Sequence, residues 1–199
     1  MRAGTYPLPG TRRAAGWHEP PGWPLFAGLG PVGALVTAPR LARTFCGMVV
    51  TGWGLGSLAA DCELIASELC TNVVAAATGP DGQPRYDAAT GRLPMLWLRL
   101  MSDGAVSRGA MSRGTASGGT ASGGALVRLE VWDDLPAELG APAQRRATAY
   151  DESGRGLELV DALSADWGWE RLPNGTTDNT THNAKRVWAL LRPGGKDQP

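Results

Sequence analysis

The fold is decided by the stretch Leu126-Val-Arg-Leu-Glu-Val-Trp132, in which apolar and polar side chains alternate as they do in a half-buried strand. A second β-rich stretch, Met95-Leu-Trp-Leu-Arg-Leu100, precedes it, and the two are predicted to pair as a hairpin. Residues 107–124 between them form a Gly/Ser/Thr/Ala repeat with almost no apolar surface, which predicts a flexible insertion over residues 102–124. Strands joined by hairpins pair antiparallel, so a doubly wound parallel sheet is excluded.

Two helices are predicted upstream of this hairpin. The first runs from Pro39 to about Gly52, because apolar side chains recur there at helical spacing, at Leu41, Phe45, Met48 and Val49. The second follows Ser57, the predicted N-cap, and ends before Gly79-Pro80. Its apolar face consists of Cys62, Ile65, Leu69, Val73 and Ala76.

The C-terminal part of the chain predicts one more helix and two more strands. Gly154 to Leu163 is typical of a loop that runs into a helix, and Trp167-Gly-Trp-Glu170 and Arg186-Val-Trp-Ala-Leu-Leu191 are typical of strands. The four tryptophans of the predicted strands, Trp97, Trp132, Trp167 and Trp188, are expected to pack in the core or on a sheet face. This order of elements predicts an α/β (α+β) two-layer sandwich, with a mixed, mostly antiparallel sheet and helices on one face.

Composition divides the chain into a domain with two extensions. Residues 1–33 are rich in proline and glycine without any period, which predicts a poorly ordered arm. Residues 34–194 are expected to form the domain, and residues 195–199 a tail.

Charge and cysteine content exclude several classes of function. The 199 residues carry 19 Lys and Arg against 19 Asp and Glu, so the basic surface of a dedicated nucleic-acid or membrane binder is not expected. The three cysteines form no CxxC pair, and the two histidines lie far from them, which excludes a zinc finger. With no predicted signal peptide or membrane span, the sequence indicates a cytoplasmic protein.

Glu68 and Asn72 are four residues apart on the second predicted helix and therefore project from the same side. A carboxylate can deprotonate an attacking hydroxyl, and an amide oxygen one turn away is a suitable ligand for Mg²⁺. Taken alone, the pair is also compatible with an ordinary solvated helix face.

Two further segments carry residue types that bind nucleotides. Asp133 ends the predicted strand that contains Trp132, where its carboxylate could accept a hydrogen bond from the amino group of adenine or serve only as a turn residue. Gly154-Arg155-Gly156 precedes a helix, and glycines there let a phosphate approach the backbone. The segment lacks the third glycine of a Rossmann fingerprint and the Gly-Lys-Ser/Thr of a P-loop.

As an ordered set, these motifs resemble the GHKL superfamily of ATP-binding domains, the histidine kinase-like ATPases. The set is Glu68-Leu-Cys-Thr-Asn72, Glu130-Val-Trp-Asp133, Gly154-Arg-Gly-Leu-Glu-Leu-Val160, Trp167-Gly and Val187-Trp-Ala189. It is most similar to the anti-sigma-factor serine/threonine kinase branch, over about residues 39–192. The resemblance implies the Bergerat fold, binding of ATP and Mg²⁺, and regulation of transcription through a protein partner, either a sigma factor or an anti-sigma antagonist.

The resemblance also implies a role for each site residue. Asn72 would be the Mg²⁺ ligand, Glu68 the catalytic base toward a serine of the partner, and Asp133 the adenine acceptor. Residues 134–153 would form a lid over the nucleotide. Gly154 and Gly156 would let the phosphates approach the backbone, and Arg155 would add positive charge beside them.

The sequence departs from the family pattern at three points that leave the activity open. Asp133 is followed by Asp-Leu-Pro-Ala137, without the usual glycines, and Arg186 stands where a small hydroxyl residue is common. The helix continues after Asn72 as Val-Val-Ala-Ala-Ala77, where many relatives carry a basic residue or histidine near position 76. One interpretation is a serine kinase, and the alternative is a catalytically inactive, nucleotide-gated protein-binding module. A scaffold of this fold that binds no nucleotide is a third. A homodimer also remains open.

Overall fold

The structure, a computed structural model, describes residues 22–88, 91–104, 125–135, 155–171 and 185–193. It contains five strands and three α-helices in these ranges. The strands are β1 (Leu25–Gly33), β2 (Met95–Ser102), β3 (Val127–Asp133), β4 (Asp166–Arg171) and β5 (Lys185–Leu191). The helices are α1 (Ala38–Gly52), α2 (Ala59–Ala76) and α3 (Arg155–Leu163).

The strands form one sheet in the order β1-β2-β3-β5-β4, and all four pairs are antiparallel. Alternate side chains of β2, β3 and β5, such as Leu98, Val131 and Val187, join the helices in a single apolar core. The predicted two-layer α/β sandwich with helices on one face is therefore confirmed. The parallel pair that a mixed sheet would include does not occur among the described strands.

The face of α1 that meets the core differs from the predicted one. Its buried residues are small, at Ala38, Ala42, Cys46 and Val50. Phe45 and Val49 are partly buried against the core, whereas Leu41 and Met48 are 45% and 65% exposed. α1 packs on α2, where a β-carbon on Gly47 would collide with the carboxylate of Glu63. Small side chains on the buried face of α1 are compatible with this packing.

β1 corrects the predicted arm, because residues 25–33 form a strand at the edge of the sheet. The glycines and the proline that indicated an arm serve a β-bulge instead. The register with β2 shifts between Leu29 and Val32, around Gly30 and Pro31. Gly30 has φ 132°, and a β-carbon there would lie 2.9 Å from Cδ1 of Trp97. An edge strand tolerates a proline at a bulge, where no ladder hydrogen bond is lost.

The other face of the sheet carries an ionic and aromatic network around Glu130. This carboxylate is 1% exposed and accepts hydrogen bonds from Nε of Arg99 and Nε of Arg128, each at 2.8 Å. The Arg99 guanidinium stacks over Trp132 at 4.7 Å, and that of Arg128 over Trp188 at 4.4 Å. Three of the four tryptophans thus lie on this face, while Trp167 packs against the helical core.

Apart from β1, which was not predicted, the element boundaries agree closely with the sequence predictions, with one difference at the start of α2. Ser57 lies in a short 3₁₀ turn, Gly56–Leu58, and α2 begins after Leu58 without a side-chain cap. The predicted insertion beyond residue 104, the tail and the first 21 residues of the arm lie outside the described residues. None of the described helices combines the length and apolar character needed to cross a membrane.

Candidate functional site

The packing of α1 on α2 determines which end of the sheet the predicted site residues reach. Gly47 lies against Glu63, and Arg43, one turn earlier, donates a hydrogen bond to Oγ of Ser67, one turn later, at 3.0 Å. The two helices are therefore antiparallel, and the second half of α2 returns to the level at which α1 begins. α1 begins just after β1, whose last residue, Gly33, pairs with Met95 at the start of β2.

The same end of the sheet contains the end of β3. Leu96 is paired with Asp133, and because opposed residues of antiparallel strands point to one face, Asp133 lies on the side of the helices. The topology thus brings the second half of α2 and the end of β3 to one end of the helical layer.

Glu68 and Gly156, far apart in sequence, are in contact. A β-carbon on Gly156 would lie 2.7 Å from Oε2 and 3.6 Å from Cβ of Glu68. Glu68 is half-buried under the first turn of α3, while Asn72, one turn further along α2, is exposed. The first backbone N–H groups of a helix have no partner within the helix. In α3 these groups lie beside the carboxylate of Glu68, and the exposed amide of Asn72 is one turn further along α2.

Asp133 is the most unusual polar residue of the site. It is buried, and its Oδ1 accepts a hydrogen bond from the backbone N–H of Leu135 at 3.2 Å. Among the described residues, its Oδ2 is the one buried side-chain oxygen or nitrogen without a hydrogen-bond partner of regular geometry. Burial raises the pKa of this carboxyl, and the nearby Lys185 only partly offsets the effect.

Lys185 is the residue of this site that the sequence analysis missed. Its Nζ lies 3.2 Å from Oδ2 of Asp133, which makes the two residues an ion pair. The contact does not have the geometry of a regular hydrogen bond. The two residues are directly opposed in the pairing of β3 with β5. Arg186, which the sequence analysis compared with a hydroxyl residue of the family, lies on the opposite face, where it contacts Glu170 and Glu130. Lys185 was missed because the predicted strand began at Arg186 and because the register that places Lys185 opposite Asp133 is not visible in the sequence.

Part of the predicted site falls outside the described residues. Gly154, the side chain of Arg155 and residues 136–153 of the predicted lid belong to this part. Asp134 and Leu135, the first lid residues, are fixed to the sheet, since Oδ1 of Asp134 accepts a hydrogen bond from the backbone N–H of Met95 at 2.7 Å. Within the described ranges, no three His, Cys, Asp or Glu side chains are grouped as metal ligands.

Comparison with known proteins gives no further assignment. No protein-family model matches the sequence, and a search of curated proteins finds no significant match. The site combines a buried acceptor beside a lysine, a helix start against a carboxylate, and an exposed amide on the same helix as that carboxylate.

Proposed function

We propose that this chain is an ATP-binding regulatory protein of the anti-sigma-factor kinase type, which binds Mg-ATP at the end of the sheet marked by Asp133. The observation that carries the proposal is the buried Oδ2 of Asp133. This oxygen pairs with Lys185 by charge but accepts no hydrogen bond of regular geometry, so it can still accept a hydrogen bond from a donor on a ligand. The amino group of adenine is such a donor.

The remaining residues fit a nucleotide that extends from Asp133 toward α3. The first turn of α3 offers backbone N–H groups to an anion, and Gly156 leaves no side chain between that turn and Glu68. Asn72 supplies an exposed oxygen, and Mg²⁺ bound through phosphates and water needs only one or two ligands from the protein. When bound, the metal would neutralise charge on the phosphates.

In this proposal Glu68 holds the position of the base. Its carboxylate would accept the proton of a partner's serine hydroxyl, and a sigma factor or its antagonist is the proposed kind of partner. The protein would act in the cytoplasm, in keeping with three free, buried cysteines. If no phosphoryl group is transferred, the same site would serve a binding module that nucleotide switches on or off.

Calorimetric titration of ATP, with Mg²⁺ and with a chelator, tests the metal assignment. In Asn72→Ala we expect the affinity to lose its dependence on Mg²⁺. Thr71→Ala is the matched control, because Thr71 is the exposed neighbour on the same turn and contacts only the backbone of α2 through its hydroxyl. An unchanged Mg²⁺ dependence in Asn72→Ala would contradict the assignment.

Glu68→Gln separates the kinase from the binding module. The amide retains the shape of the side chain and its packing on Gly156 but cannot accept a proton. We expect this variant to bind ATP as the wild type does and to lose any transfer to a serine of the partner. A variant that transfers phosphate at the wild-type rate would exclude Glu68 as the base.

A further inference from the structure

The ion pair between Asp133 and Lys185 lies where the proposed function places the base of the nucleotide. The side chain of Asp133 is 1% exposed and that of Lys185 14% exposed, with 3.2 Å between Oδ2 and Nζ. Lys185 places an ammonium group, a hydrogen-bond donor, next to the carboxylate oxygen that is to accept the adenine amino group. The site therefore presents an acceptor and a donor side by side.

Adenine presents the complementary pair on one edge, an exocyclic amino donor next to the acceptor nitrogen N1 of the ring. We propose that Lys185 is a second specificity-determining residue, whose ammonium group donates to N1 while Oδ2 of Asp133 accepts from the amino group. This inference rests on the proposed function, since it assumes that the site binds ATP. Lys185 would then contact the nucleotide as well as balance the charge of Asp133.

The donor on Lys185 favours adenine over guanine. Guanine presents two neighbouring donors, the N1–H and the 2-amino group, and its N1–H would face the ammonium group of Lys185, which can only donate. Adenine presents an acceptor there, so it can accept a hydrogen bond from Lys185 and donate one to Asp133.

A nucleotide that lacks N1 tests the inference. The wild-type protein and Lys185→Met are titrated with ATP and with 1-deaza-ATP, which retains the amino group and replaces N1 by C–H. We expect the wild type to bind 1-deaza-ATP about ten- to a hundredfold more weakly than ATP, as for a lost hydrogen bond to a charged donor. Lys185→Met, which keeps the length of the side chain, should bind the two nucleotides equally.

Arg186→Met is the matched control, because it removes a cation from the next residue of β5, on the opposite face of the sheet. It should discriminate between the two nucleotides as the wild type does. If Lys185→Met fails to fold, equal binding of ATP and 1-deaza-ATP by the wild type would still overturn the inference.

The outcomes separate this inference from the proposed function. A wild type that binds ATP and 1-deaza-ATP equally overturns the role of Lys185 and leaves the ATP site intact. A wild type that binds GTP more tightly than ATP overturns the assignment of adenine. A wild type that binds none of these nucleotides overturns the proposed function itself.

Discussion

A β-carbon on Gly156 would lie 2.7 Å from Oε2 of Glu68, so the first turn of α3 packs directly on a carboxylate of α2. The contact joins two segments that the sequence analysis had linked only through a family resemblance. Even a methyl group at residue 156 would therefore shift the carboxylate of Glu68.

Gly156→Ala should therefore displace the Glu68 carboxylate at little cost in stability. The colliding atom is the end of a flexible side chain, and alanine favours a helix by up to about 1 kcal/mol over glycine. We expect a free energy of unfolding within about 1 kcal/mol of the wild type and a weaker affinity for Mg-ATP. Gly52→Ala is the control, since a β-carbon there meets no atom within 4 Å. Equal ATP affinity in both variants would show that the contact has no part in the site.

The sequence predicted most of the helices and strands because their patterns are local. Alternation in β3 and helical spacing in α2 reflect burial of one face, and both elements were found within a few residues of their predicted bounds. β1 was missed because its glycines and Pro31 are unfavourable within a strand and are accommodated only by a bulge at a sheet edge. That environment depends on the partner strand, which is distant in sequence.

The sequence predicted most of the residues of the candidate site, but it did not predict which of them are in contact. Glu68 and Asn72 were singled out from their spacing, Asp133 from its place at a strand end and Gly156 from the glycine pair before a helix. The structure brings Glu68 against Gly156. The pairing of Lys185 with Asp133 depends on the register between β3 and β5, which long-range packing determines. The buried face of α1 was mispredicted because its residues are small, whereas the larger apolar residues Leu41 and Met48 are exposed.

Asp133 should make stability depend on pH in a defined direction. Burial raises its pKa above the ordinary value of 3.8, so the folded protein keeps the proton to a higher pH than the unfolded chain does. Between the two pKa values the folded state binds more protons, and the free energy of unfolding falls as the pH rises through this window. Asp133→Asn should lack this contribution.

Urea unfolding of the wild type and Asp133→Asn, from acidic to neutral pH, measures the difference. Asp81→Asn, at an exposed turn, is the control and should follow the wild type. If Asp133→Asn and the wild type lose stability in parallel across the window, Asp133 is not the group responsible.

Glu130 should be among the most sensitive positions on the sheet. Its removal leaves Arg99, Arg128 and Arg186 without the carboxylate that they share. Breaking a buried ion pair by deleting one partner costs about 3–5 kcal/mol, and we expect Glu130→Ala to fall in this range. Glu170, 46% exposed, pairs with Arg186 at the surface, so Glu170→Ala should cost less than about 1 kcal/mol. Equal losses in the two variants by chemical denaturation would contradict this account of the network.

The three cysteines should not react in the folded protein. All are buried, and burial raises the pKa of Cys62 and of Cys70 to about 12 and that of Cys46 well above its ordinary range. Since the thiolate is the reactive form, a disulfide reagent should modify them only as fast as the protein opens. Titration of thiols with and without denaturant checks this, and a thiol that reacts at once in the native protein would contradict it.

The central claim is that the buried carboxylate of Asp133 binds the base of ATP. Titration of ATP, in the presence of Mg²⁺, into the wild type and Asp133→Ala tests it most directly. We predict a single saturable site in the wild type and an affinity about ten- to a hundredfold weaker in Asp133→Ala, with a cooperative unfolding transition retained in the variant. Equal affinities in the two proteins, or no saturable binding to the wild type, would contradict the account.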